Sequence, residues 1–460
     1  MKVLFAAAEV DPFAKVGGLA DVAASLPRRL QDMGHDVRVV TPCHESSSEA
    51  FAQAPARRTL DVPFVGSTHR VDVATTAGAG GVPVQLVRDR QFFGRRNVYG
   101  DADDAARYQF FCRCVMQMLL EDDWTPDILH LNDWHTAPLA FGLRNLAWGN
   151  PLLRGVASVF TIHNLRYRGP DELNDQLCQA VYYSDFITTV SPTYAREILT
   201  SDYGEGLDEL LRLRGDRVAG ILNGLDYDLY NPRIDPLIAR PFDLTSLEAR
   251  SANRDALQKA VGLPVGAGPL AAMVTRLAEQ KGVDLVLHAL PELLAAGVQL
   301  VVLGEGDASI MDELRRLELA HPQNVRLAAG YNEALARQIY AGSDLFLMPS
   351  RYEPCGLGQL IAMRYGSVPI GRRTGGLADT IRDPSEYGDA ATGFLFDEFS
   401  TFAFVGAFER AVAAFHDREG WERLQLSAMS RDYSWGASAT HYVECYRAAL
   451  RVRGIAPHDD

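Results

Sequence analysis

The amino-acid sequence predicts an α/β protein of two doubly wound, Rossmann-like domains that face each other across a central cleft. Short apolar runs rich in β-formers alternate with longer helical patterns, which indicates parallel sheets with crossover helices. Many of the short runs are apolar without strict alternation, as in strands covered on both faces. At 460 residues the chain exceeds what one hydrophobic core organises, so two large domains are expected.

Six strands are predicted in each half of the chain, with helical patterns between them. The strands of the first half are expected at residues 2–7, 37–41, 128–131, 158–163, 186–190 and 219–222. Those of the second half are expected at residues 270–274, 299–303, 325–328, 345–348, 368–371 and 393–396. The helices are expected at residues 19–33, 105–120, 194–199, 283–295 and 333–341, among others.

The domain junction is expected where residues 226–269 are rich in proline, aspartate and glycine and carry no convincing strand. This interpretation gives an N-terminal domain over residues 1–230, a linker over 231–264 and a C-terminal domain over 265–430. Ligands bind beyond the carboxyl ends of strands in open parallel sheets. Functional residues are therefore expected directly after strands.

Composition and charge exclude several classes of protein. The net charge of −14 repels nucleic acid and anionic membrane surfaces, so neither is expected as a partner. The six cysteines are scattered and are interpreted as reduced core thiols, with no zinc spacing. No signal peptide and no membrane-spanning stretch are read, so a cytoplasmic location is expected. No acidic or histidine cluster has metal-ligand spacing, so neither a metal nor a cofactor is expected.

The run KVGGLAD at residues 15–21 follows the first strand and opens the first helix. Gly17 and Gly18 let backbone N–H groups approach a phosphate, and Lys15 adds a positive charge. A tight strand-to-helix turn is the alternative explanation of the glycine pair. The run is neither a P-loop nor a G-x-G-x-x-G fingerprint, and Gly304-Glu305-Gly306 also lacks the third glycine of a dinucleotide-binding site.

Three further polar groups follow strands of the first half. Asn132, Asp133, Trp134 and His135 suit sugar recognition, because carboxylate and imidazole bind hydroxyls and an indole stacks on a pyranose. The alternative is a helix N-cap by Asp133 with a packed Trp134. His163 is either a ligand-binding residue or a buried core histidine. Asn223 precedes Gly224, and Asn-Gly is also a common turn.

The second half carries the charges expected to bind a diphosphate. Arg276 and Lys281 follow the strand at 270–274, where a guanidinium fork and a compact ammonium suit phosphate oxygens; a solvated surface pair is the alternative. The runs PSRYEPCGL at 349–357 and GRRTGGLAD at 371–379 each follow a strand. Both offer glycine-flanked backbone N–H groups near a helix start, and the first holds the carboxylate of Glu353.

Taken together, these motifs resemble those of the bacterial glycogen synthase and plant starch synthase family. Further matches are SPTYAREI at residues 191–198, ILNGLD at 221–226 and TRL with QKG at 275–282. The resemblance runs in order over nearly the whole chain, from residue 1 to about residue 451. It implies a GT-B glycosyltransferase that retains anomeric configuration and adds α-1,4-glucosyl units from ADP-glucose to the non-reducing end of an α-glucan such as glycogen.

The resemblance also implies roles for individual residues, with the acceptor on the N-terminal domain and the donor on the C-terminal domain. The catalytic residues are expected to be Glu353, His163, Lys281 and Arg276. Tyr331 is expected to stack on adenine. The remaining residues expected to bind substrate are Glu9, Lys15, Gly17, Gly18, Asp133, Trp134, His135, Asn223, Cys355, Gly356, Leu357, Thr374, Gly375 and Gly376. The C-terminal segment at about 430–455 is expected to cross back onto the first domain.

The sequence departs from the family pattern in two places. Ile361 stands where many related glycosyltransferases carry a second glutamate, eight residues after Glu353, a residue that glycogen synthases commonly lack. Only residues 170–181 intervene between Gly169 and the run beginning at Tyr182, where the family usually has a longer insertion beside the cleft.

Two alternatives stay open at this point. One is a GT-B glucosyltransferase with another donor, such as UDP-glucose, or with a small sugar or sugar-phosphate acceptor. The other is a non-catalytic glucan-binding homologue. The presence of Arg276, Lys281 and Glu353 argues against the second, because binding alone needs no clamp on a leaving group.

Overall fold

The computed structural model describes residues 1–171, 174–266 and 268–455, with only the backbone of residues 174 and 175. The chain divides into two units. The first comprises Met1–Gly224 together with the C-terminal segment from Trp435, and the second is Leu225–Ser434. Residues 231–264, predicted to be a linker, lie in the second unit and include a helix.

The first unit is built on one sheet, whose described strands follow the order β3-β4-β5-β2-β1-β6-β7-β8-β9. Its strands are β1 Lys2–Ala6, β2 Asp36–Pro42, β3 Ala56–Phe64, β4 Ser67–Ala77, β5 Pro83–Arg88, β6 Ile128–Asn132, β7 Ala157–Ile162, β8 Phe186–Thr189 and β9 Val218–Gly220. Its helices up to the unit boundary are α1 Gly18–Asp32, α2 Ser48–Gln53, α3 Asp104–Glu121, α4 Pro138–Gly149, α5 Asn174–Tyr183, α6 Pro192–Glu197 and α7 Asp208–Arg212. The six predicted strands of this half are confirmed, with bounds shifted by one or two residues.

The prediction of parallel sheets is wrong for one end of the first sheet. Strands β3, β4 and β5 are not among the predicted strands, and β4 pairs antiparallel with both of its neighbours. Val65 and Gly66 form the two-residue turn between β3 and β4, with φ values of 44° and 75°. Such a turn usually carries asparagine, aspartate or glycine at its first position, so a valine there concealed the hairpin.

The second unit has a wholly parallel sheet among its described strands, in the order β12-β11-β10-β13-β14-β15. Its strands are β10 Leu270–Val274, β11 Gln299–Gly304, β12 Val325–Ala329, β13 Leu345–Met348, β14 Val368–Arg372 and β15 Phe394–Phe396. Its helices are α8 Arg250–Ala260, α9 Val283–His288, α10 Leu290–Ala295, α11 Ala308–Ala320, α12 Glu333–Gly342, α13 Gly358–Arg364, α14 Gly375–Thr380, α15 Pro384–Tyr387, α16 Thr401–His416 and α17 Arg418–Ser430. The helix predicted at 283–295 is two helices, because Pro291 cannot continue the first.

The chain ends in α18, Trp435–Val452, which packs in the first unit. The hydroxyl of Tyr446 lies 2.7 Å from Nδ1 of His130, and the hydroxyl of Ser438 donates to the carbonyl oxygen of Leu222 (2.6 Å). A Cβ on Gly224 would lie 2.5 Å from Cα of Trp435, so only glycine allows the two backbones to approach this closely. Residues from both ends of the sequence therefore share one core, in which Tyr442 and Phe5 are buried.

The strand orders place a topological switch point in each sheet. In the first sheet β1 lies between β2 and β6, and in the second sheet β10 lies between β11 and β13. The loops after β1 and β6, and those after β10 and β13, therefore diverge from the same edge of their sheet, where open α/β sheets bind ligands. The two-unit α/β fold predicted from the sequence is confirmed.

We predict that Arg337→Ala destabilises the second unit. Arg337 is buried and donates to the carboxylate of Asp235 (3.1 Å) and to the carbonyl oxygen of Leu229 (2.6 Å). Its removal would leave a buried carboxylate without its cation, at a cost of about 3–5 kcal/mol in the free energy of unfolding. Arg315→Ala removes an exposed ion pair and is the matched control, expected to cost less than about 1 kcal/mol. Denaturant unfolding measures both, and equal stability of the two variants would contradict the prediction.

Candidate active site

In the second unit, the loops that follow β10 and β13 are joined by close contacts. Gly282 has a left-handed φ of 66°, and a Cβ on it would lie 1.9 Å from the carbonyl oxygen of Pro349. The amide of Arg351 donates to the carbonyl oxygen of Gln280 (2.8 Å), and the side-chain amide of Gln280 donates to the carbonyl oxygen of Tyr352 (3.2 Å). The residue after Lys281 must therefore be glycine for the two loops to pack in this way.

This loop packing brings Lys281 and Glu353 together. Nζ of Lys281 lies 2.7 Å from Oε2 of Glu353, and the hydroxyl of Ser350 donates to the same oxygen (2.9 Å). The Glu353 side chain is only 6% exposed, and that of Lys281 is 19% exposed. The pair thus places a compact cation and an oriented carboxylate at the switch point of the second sheet.

The loop that holds Glu353 also contacts the start of α14. The amide of Gly376 donates to the carbonyl oxygen of Glu353 (3.0 Å). A Cβ on Gly375 would lie 2.0 Å from that oxygen, and a Cβ on Gly376 would lie 2.0 Å from the carbonyl oxygen of Cys355. The structure thus brings together Lys281, Glu353, Cys355 and the Thr374–Gly376 turn, as the sequence analysis expected from motifs distant in the chain.

Four other predicted residues of the second unit follow strands of the same sheet. Gly356 has a φ of 75°, and Leu357 precedes α13. Arg276 is exposed on the loop after β10, and Tyr331 is exposed at the carboxyl end of β12, the outermost described strand. Their roles toward diphosphate and adenine stay predictions.

In the first unit, Glu9 organises the loop between β1 and α1. Its Oε2 accepts hydrogen bonds from the amides of Val16 and Gly17, the latter at 3.1 Å. Lys15 lies on the outer side of the loop with its Nζ 2.5 Å from Oδ1 of Asp21. Gly18 begins α1. The amide of Gly17, which the sequence analysis assigned to a phosphate, thus donates to a carboxylate of the protein, and Glu9 faces the glycine loop.

The pKa of Glu9 is raised from its ordinary value of 4.5 to about 7, chiefly because the carboxyl group is buried. The amides of Val16 and Gly17 and the charge of Lys15 act against this rise, and the charge of Asp21 adds to it. The side chain that holds the glycine loop therefore exchanges its proton near neutral pH.

Asp133 is held in an uncommon backbone conformation directly after β6. Its φ is 54°, a value rare for a residue other than glycine. Its amide donates to the carbonyl oxygen of Thr161 (2.9 Å), and its Oδ1 accepts from the amide of His163 (2.7 Å). Burial raises the pKa of Asp133 to about 7, and the charge of Glu9 contributes in the same direction. Strained backbone of this kind collects at functional sites, where the surrounding hydrogen bonds maintain it.

The imidazole of His163 has a defined tautomer. The side-chain amide of Asn132 donates to the carbonyl oxygen of Ala6 (3.0 Å), which directs Oδ1 of Asn132 to Nε2 of His163 (2.9 Å). Nε2 must then carry the hydrogen, and Nδ1 is left as an acceptor. Burial lowers the pKa of His163 to about 3, so the ring is neutral at pH 7. A neutral ring that accepts at Nδ1 is suited to a hydroxyl group and not to a phosphate.

Trp134 and His135 lie deeper than the sequence analysis expected. Trp134 is 6% exposed, its ring stacks on that of His135 with centroids 3.8 Å apart, and a Cβ on Gly169 would lie 2.3 Å from the indole. The expectation that this indole stacks on a sugar is wrong, because its surface is covered by the protein. The alternative of an N-cap by Asp133 is wrong too, since Asp133 makes no side-chain cap contact, but a packed Trp134 is confirmed.

Two further regions of the first unit bear on the predicted site. Asn223, also expected to bind substrate, is buried after β9, and its side-chain oxygen has no hydrogen-bond partner among the described residues. The short segment 170–181 falls partly outside the described residues, since 172 and 173 are not described. Weaker binding of the acceptor is expected from the missing insertion, and it stays a prediction.

One acidic cluster corrects the expectation that none exists. Carboxylate oxygens of Asp101, Asp103 and Asp104 lie within 4.8 Å of one another. Arg107 pairs with Asp104 (2.7 Å) and Asp101 (3.2 Å), and Arg95 pairs with Asp103 (2.6 Å). The protein's own guanidinium groups therefore balance this cluster.

No helix among the described residues has the length and apolar character needed to cross a membrane.

Comparison with known proteins agrees with this geometry. Residues 2–213 match the family described as the starch synthase catalytic domain, and residues 268–413 match glycosyl transferases group 1. Glycogen synthase 2 of Geobacter sulfurreducens is 44% identical, covering 98% of this chain and 100% of that protein. Glycogen synthase of Syntrophotalea carbinolica is also 44% identical, covering 98% and 99%.

Two solved structures show the same fold. The catalytic domain of starch synthase IV from Arabidopsis thaliana, bound to ADP and acarbose, superposes with a TM-score of 0.89 at 36% identity, covering 98% of this chain and 99% of that one. Sucrose-phosphate synthase from Thermosynechococcus elongatus superposes with a TM-score of 0.65 at 17% identity, with the same coverage, and shares the fold alone.

The two parallel-sheet units and the residues at their switch points define a glycosyltransferase of the GT-B fold. More narrowly, the chain belongs to the family of bacterial glycogen synthases and plant starch synthases. The family and enzyme class predicted from the sequence are both confirmed.

Several polar residues that carry no individually predicted role position the predicted ones. Asn132 orients His163, Ser350 orients Glu353, and Gln280 ties the Lys281 loop to the Glu353 loop. Each lies inside or beside a motif that was singled out, so position in the motif was the available signal. Their partners are 31, 3 and 72 residues away in the chain, and only the folded structure identifies them.

We predict that Glu9→Gln removes a pH-dependent loss of stability. The folded state keeps the Glu9 proton up to about pH 7, whereas the unfolded chain releases it near 4.5. The contribution of protonated Glu9 to the free energy of unfolding is therefore fully present below about pH 4.5, and it is lost as the pH rises through 7. Relative to the parent, the glutamine variant should gain up to about 3 kcal/mol between pH 5 and pH 8. Denaturant unfolding across this range tests it.

The control for this prediction is Glu49→Gln, an exposed carboxylate of the same unit, which should differ from the parent by less than about 0.5 kcal/mol at every pH. A constant difference between Glu9→Gln and the parent across the range would contradict the assignment of a raised pKa.

We also predict that Asn132→Leu releases the tautomer of His163. Without the amide oxygen, Nε2 loses its acceptor, and the nitrogen chemical shifts of His163 should move toward the Nδ1–H form. The carbonyl oxygen of Ala6 also loses its hydrogen bond from Asn132, which should lower the free energy of unfolding by about 1–3 kcal/mol. Thr189→Val is the matched control, since it removes a buried hydrogen bond to the carbonyl oxygen of Ile162 without contacting the imidazole. Identical imidazole signals in the parent and Asn132→Leu would refute the prediction.

Proposed function

We propose that this chain is a retaining glucosyltransferase that transfers glucose from ADP-glucose to the non-reducing end of an α-1,4-glucan such as glycogen, in the cytoplasm. The observation that carries the proposal is the pair of Lys281 and Glu353, 2.7 Å apart at the switch point of the second sheet. Support for the donor comes from the starch synthase IV catalytic domain, which was solved with ADP and acarbose. The glycogen synthases that match over the full length support the acceptor.

The proposed reaction breaks the bond between the anomeric carbon and a diphosphate. Negative charge accumulates on the departing phosphate, so cations positioned in advance lower the barrier. The sequence contains only four lysines, and two of them, Lys15 and Lys281, lie in the loops assigned to the donor. Lys281 and Arg276 supply charge from the second unit in this proposal, and Lys15 from the first.

Donor binding exchanges the partners of Lys281. In the structure its ammonium group donates a hydrogen bond to Glu353. A diphosphate oxygen competes for that ammonium, and Glu353, still oriented by Ser350, then has an oxygen available for hydroxyl groups of the donor sugar. The same event thus neutralises the leaving group and prepares the carboxylate for the sugar.

Retention of configuration is proposed to occur by attack on the face from which the phosphate leaves. A double-displacement route needs a carboxylate free to act as a nucleophile. Glu353 is assigned to hydroxyl groups of the donor sugar in this proposal and stays oriented by Ser350. In the first unit, Glu9 accepts from the glycine loop and Asp133 accepts from the amide of His163, so both of these carboxylates have structural partners. The leaving phosphate itself then takes the proton of the acceptor hydroxyl. His163, neutral and accepting at Nδ1, is assigned to a sugar hydroxyl.

The experiment that tests the proposal is product analysis with paired donors and acceptors. ADP-glucose or UDP-glucose is incubated with glycogen or short maltooligosaccharides, with and without a chelator, and the products are separated by length. We expect extension by α-1,4-linked units from ADP-glucose, undiminished by the chelator. Preference for UDP-glucose, transfer only to a small sugar, or binding of glucan without extension would each replace the proposal with a different function.

We predict that Lys281→Ala lowers turnover by about 10²- to 10³-fold in a folded enzyme, since one preorganised donor to a developing charge contributes about 3–4 kcal/mol. Lys259→Ala is the matched control, because Lys259 is exposed in the last turn of α8 in the same unit. Steady-state kinetics measure both variants, and circular dichroism checks their fold. Turnover of Lys281→Ala within about twofold of the control would remove Lys281 from the leaving-group role.

A further inference from the structure

A groove of about 610 Å³ lies on the antiparallel end of the first sheet, among residues to which no role has been assigned. Its walls come from β3, β4, the end of β5 and the residues after it. Five arginines and two aspartates line it, together with Phe51 and a few polar side chains. The arginines are Arg57, Arg58, Arg70, Arg88 and Arg90, and we call the site the arginine groove.

The positive charge of the arginine groove is not balanced by its own carboxylates. Arg58 is paired with Asp122, but the other four arginines form no ion pair with any described residue. Asp72 accepts from the hydroxyl of Thr59 (3.0 Å). Asp89 accepts from the amides of Gln91 (2.8 Å) and Phe92 (3.1 Å). The chain has 59 acidic and 45 basic residues, so a cluster of guanidinium groups without acidic partners is unusual in it. Such a local excess of positive charge favours the binding of an anion.

Two of these guanidinium groups lie near the same aromatic ring. The guanidinium carbon of Arg57 lies 5.6 Å from the ring centroid of Phe51, and that of Arg88 lies 5.0 Å from it. Phe51 is buried in α2, so the ring is a fixed support. Arg57 also donates to the carbonyl oxygen of Ala52. Contact with this ring therefore helps to position both guanidinium groups before an anion binds.

Strand register brings the remaining charges to the same groove. Asp72 pairs with Arg88 across β4 and β5, and with Thr59 across β3 and β4. Arg70 lies two residues before Asp72 on β4 and therefore points to the same face of the sheet. Arg90 lies two residues after Arg88, beyond the end of β5. The position of the charges thus follows from backbone pairing.

We propose that the arginine groove binds a small molecule carrying two or more phosphoryl charges, at a site separate from the glucosyl-transfer site. Guanidinium groups fork onto phosphate oxygens, and a volume of 610 Å³ is typical of small-molecule sites. A small anion experiences mainly the local charge, because salt screens interactions beyond about 8–10 Å. An extended polyanion or an anionic membrane would also meet the acidic remainder of the chain, whose net charge is −14.

The test is calorimetric titration of the full-length protein and of its Lys281→Ala variant with inorganic pyrophosphate. We expect binding that persists in Lys281→Ala, in which the proposed donor site has lost its lysine. The double variant R70Q/R88Q should weaken it at least tenfold, whereas R315Q/R316Q, an equal charge change on exposed α11, should leave it unchanged. The single variant R90Q, with a smaller loss, provides a second measurement should the double variant fail to fold.

Several results would overturn the proposal. They are unchanged affinity in folded R70Q/R88Q and R90Q, loss of pyrophosphate binding in folded Lys281→Ala, or tighter association with anionic vesicles or nucleic acid than with pyrophosphate. The titration requires no turnover, so a failure to transfer glucose would count against the proposed function and would leave the test of the arginine groove intact.

Discussion

Parallel pairing of β10 with β13 is the constraint on which the site of the second unit depends. It sends two loops away from one edge of the sheet, and the contact of Gly282 with the carbonyl oxygen of Pro349 presses them together. Lys281, the residue before that glycine, then meets Glu353, four residues beyond Pro349. The close approach of Gly375 and Gly376 to residues 353–355 adds the third loop. A side chain at any of these glycines would push the loops apart, so the glycines set the geometry of the charged pair.

The two units present different electrostatic environments at their switch points. In the second unit, a lysine and a glutamate are paired and oriented by a serine. In the first unit, burial raises the pKa of both Glu9 and Asp133 to about 7 and lowers that of His163 to about 3. The environment in the first unit is suited to a neutral sugar, and the environment in the second unit is suited to a charged diphosphate. This contrast is the physical basis for assigning acceptor and donor to different units in the proposed function.

Charge in this protein is concentrated locally against an acidic background. The chain uses arginine for nearly all of its basic residues and keeps lysine at four positions. Most of the arginines named here form ion pairs or donate to backbone carbonyls, as Arg337 and Arg107 do. The arginine groove differs because four of its guanidinium groups have no acidic partner among the described residues. The same antiparallel strands that the sequence analysis missed build this groove, so the missed hairpin and the unassigned site are one feature.

The sequence by itself determined the class of fold, the twelve strands it predicted and the motifs of the site. Strand composition is local, and a motif such as 349–357 is continuous in the chain. The sequence did not determine the antiparallel hairpin, because Val65 occupies a turn position where the usual signal is asparagine, aspartate or glycine. Nor did it reveal that Trp134 is covered, that Glu9 binds the glycine loop, or that Asn132 selects the tautomer of His163. Those outcomes depend on contacts between residues that are near in space and separated in sequence, and burial, hydrogen-bond partners and pKa values are decided only when the tertiary structure brings them together.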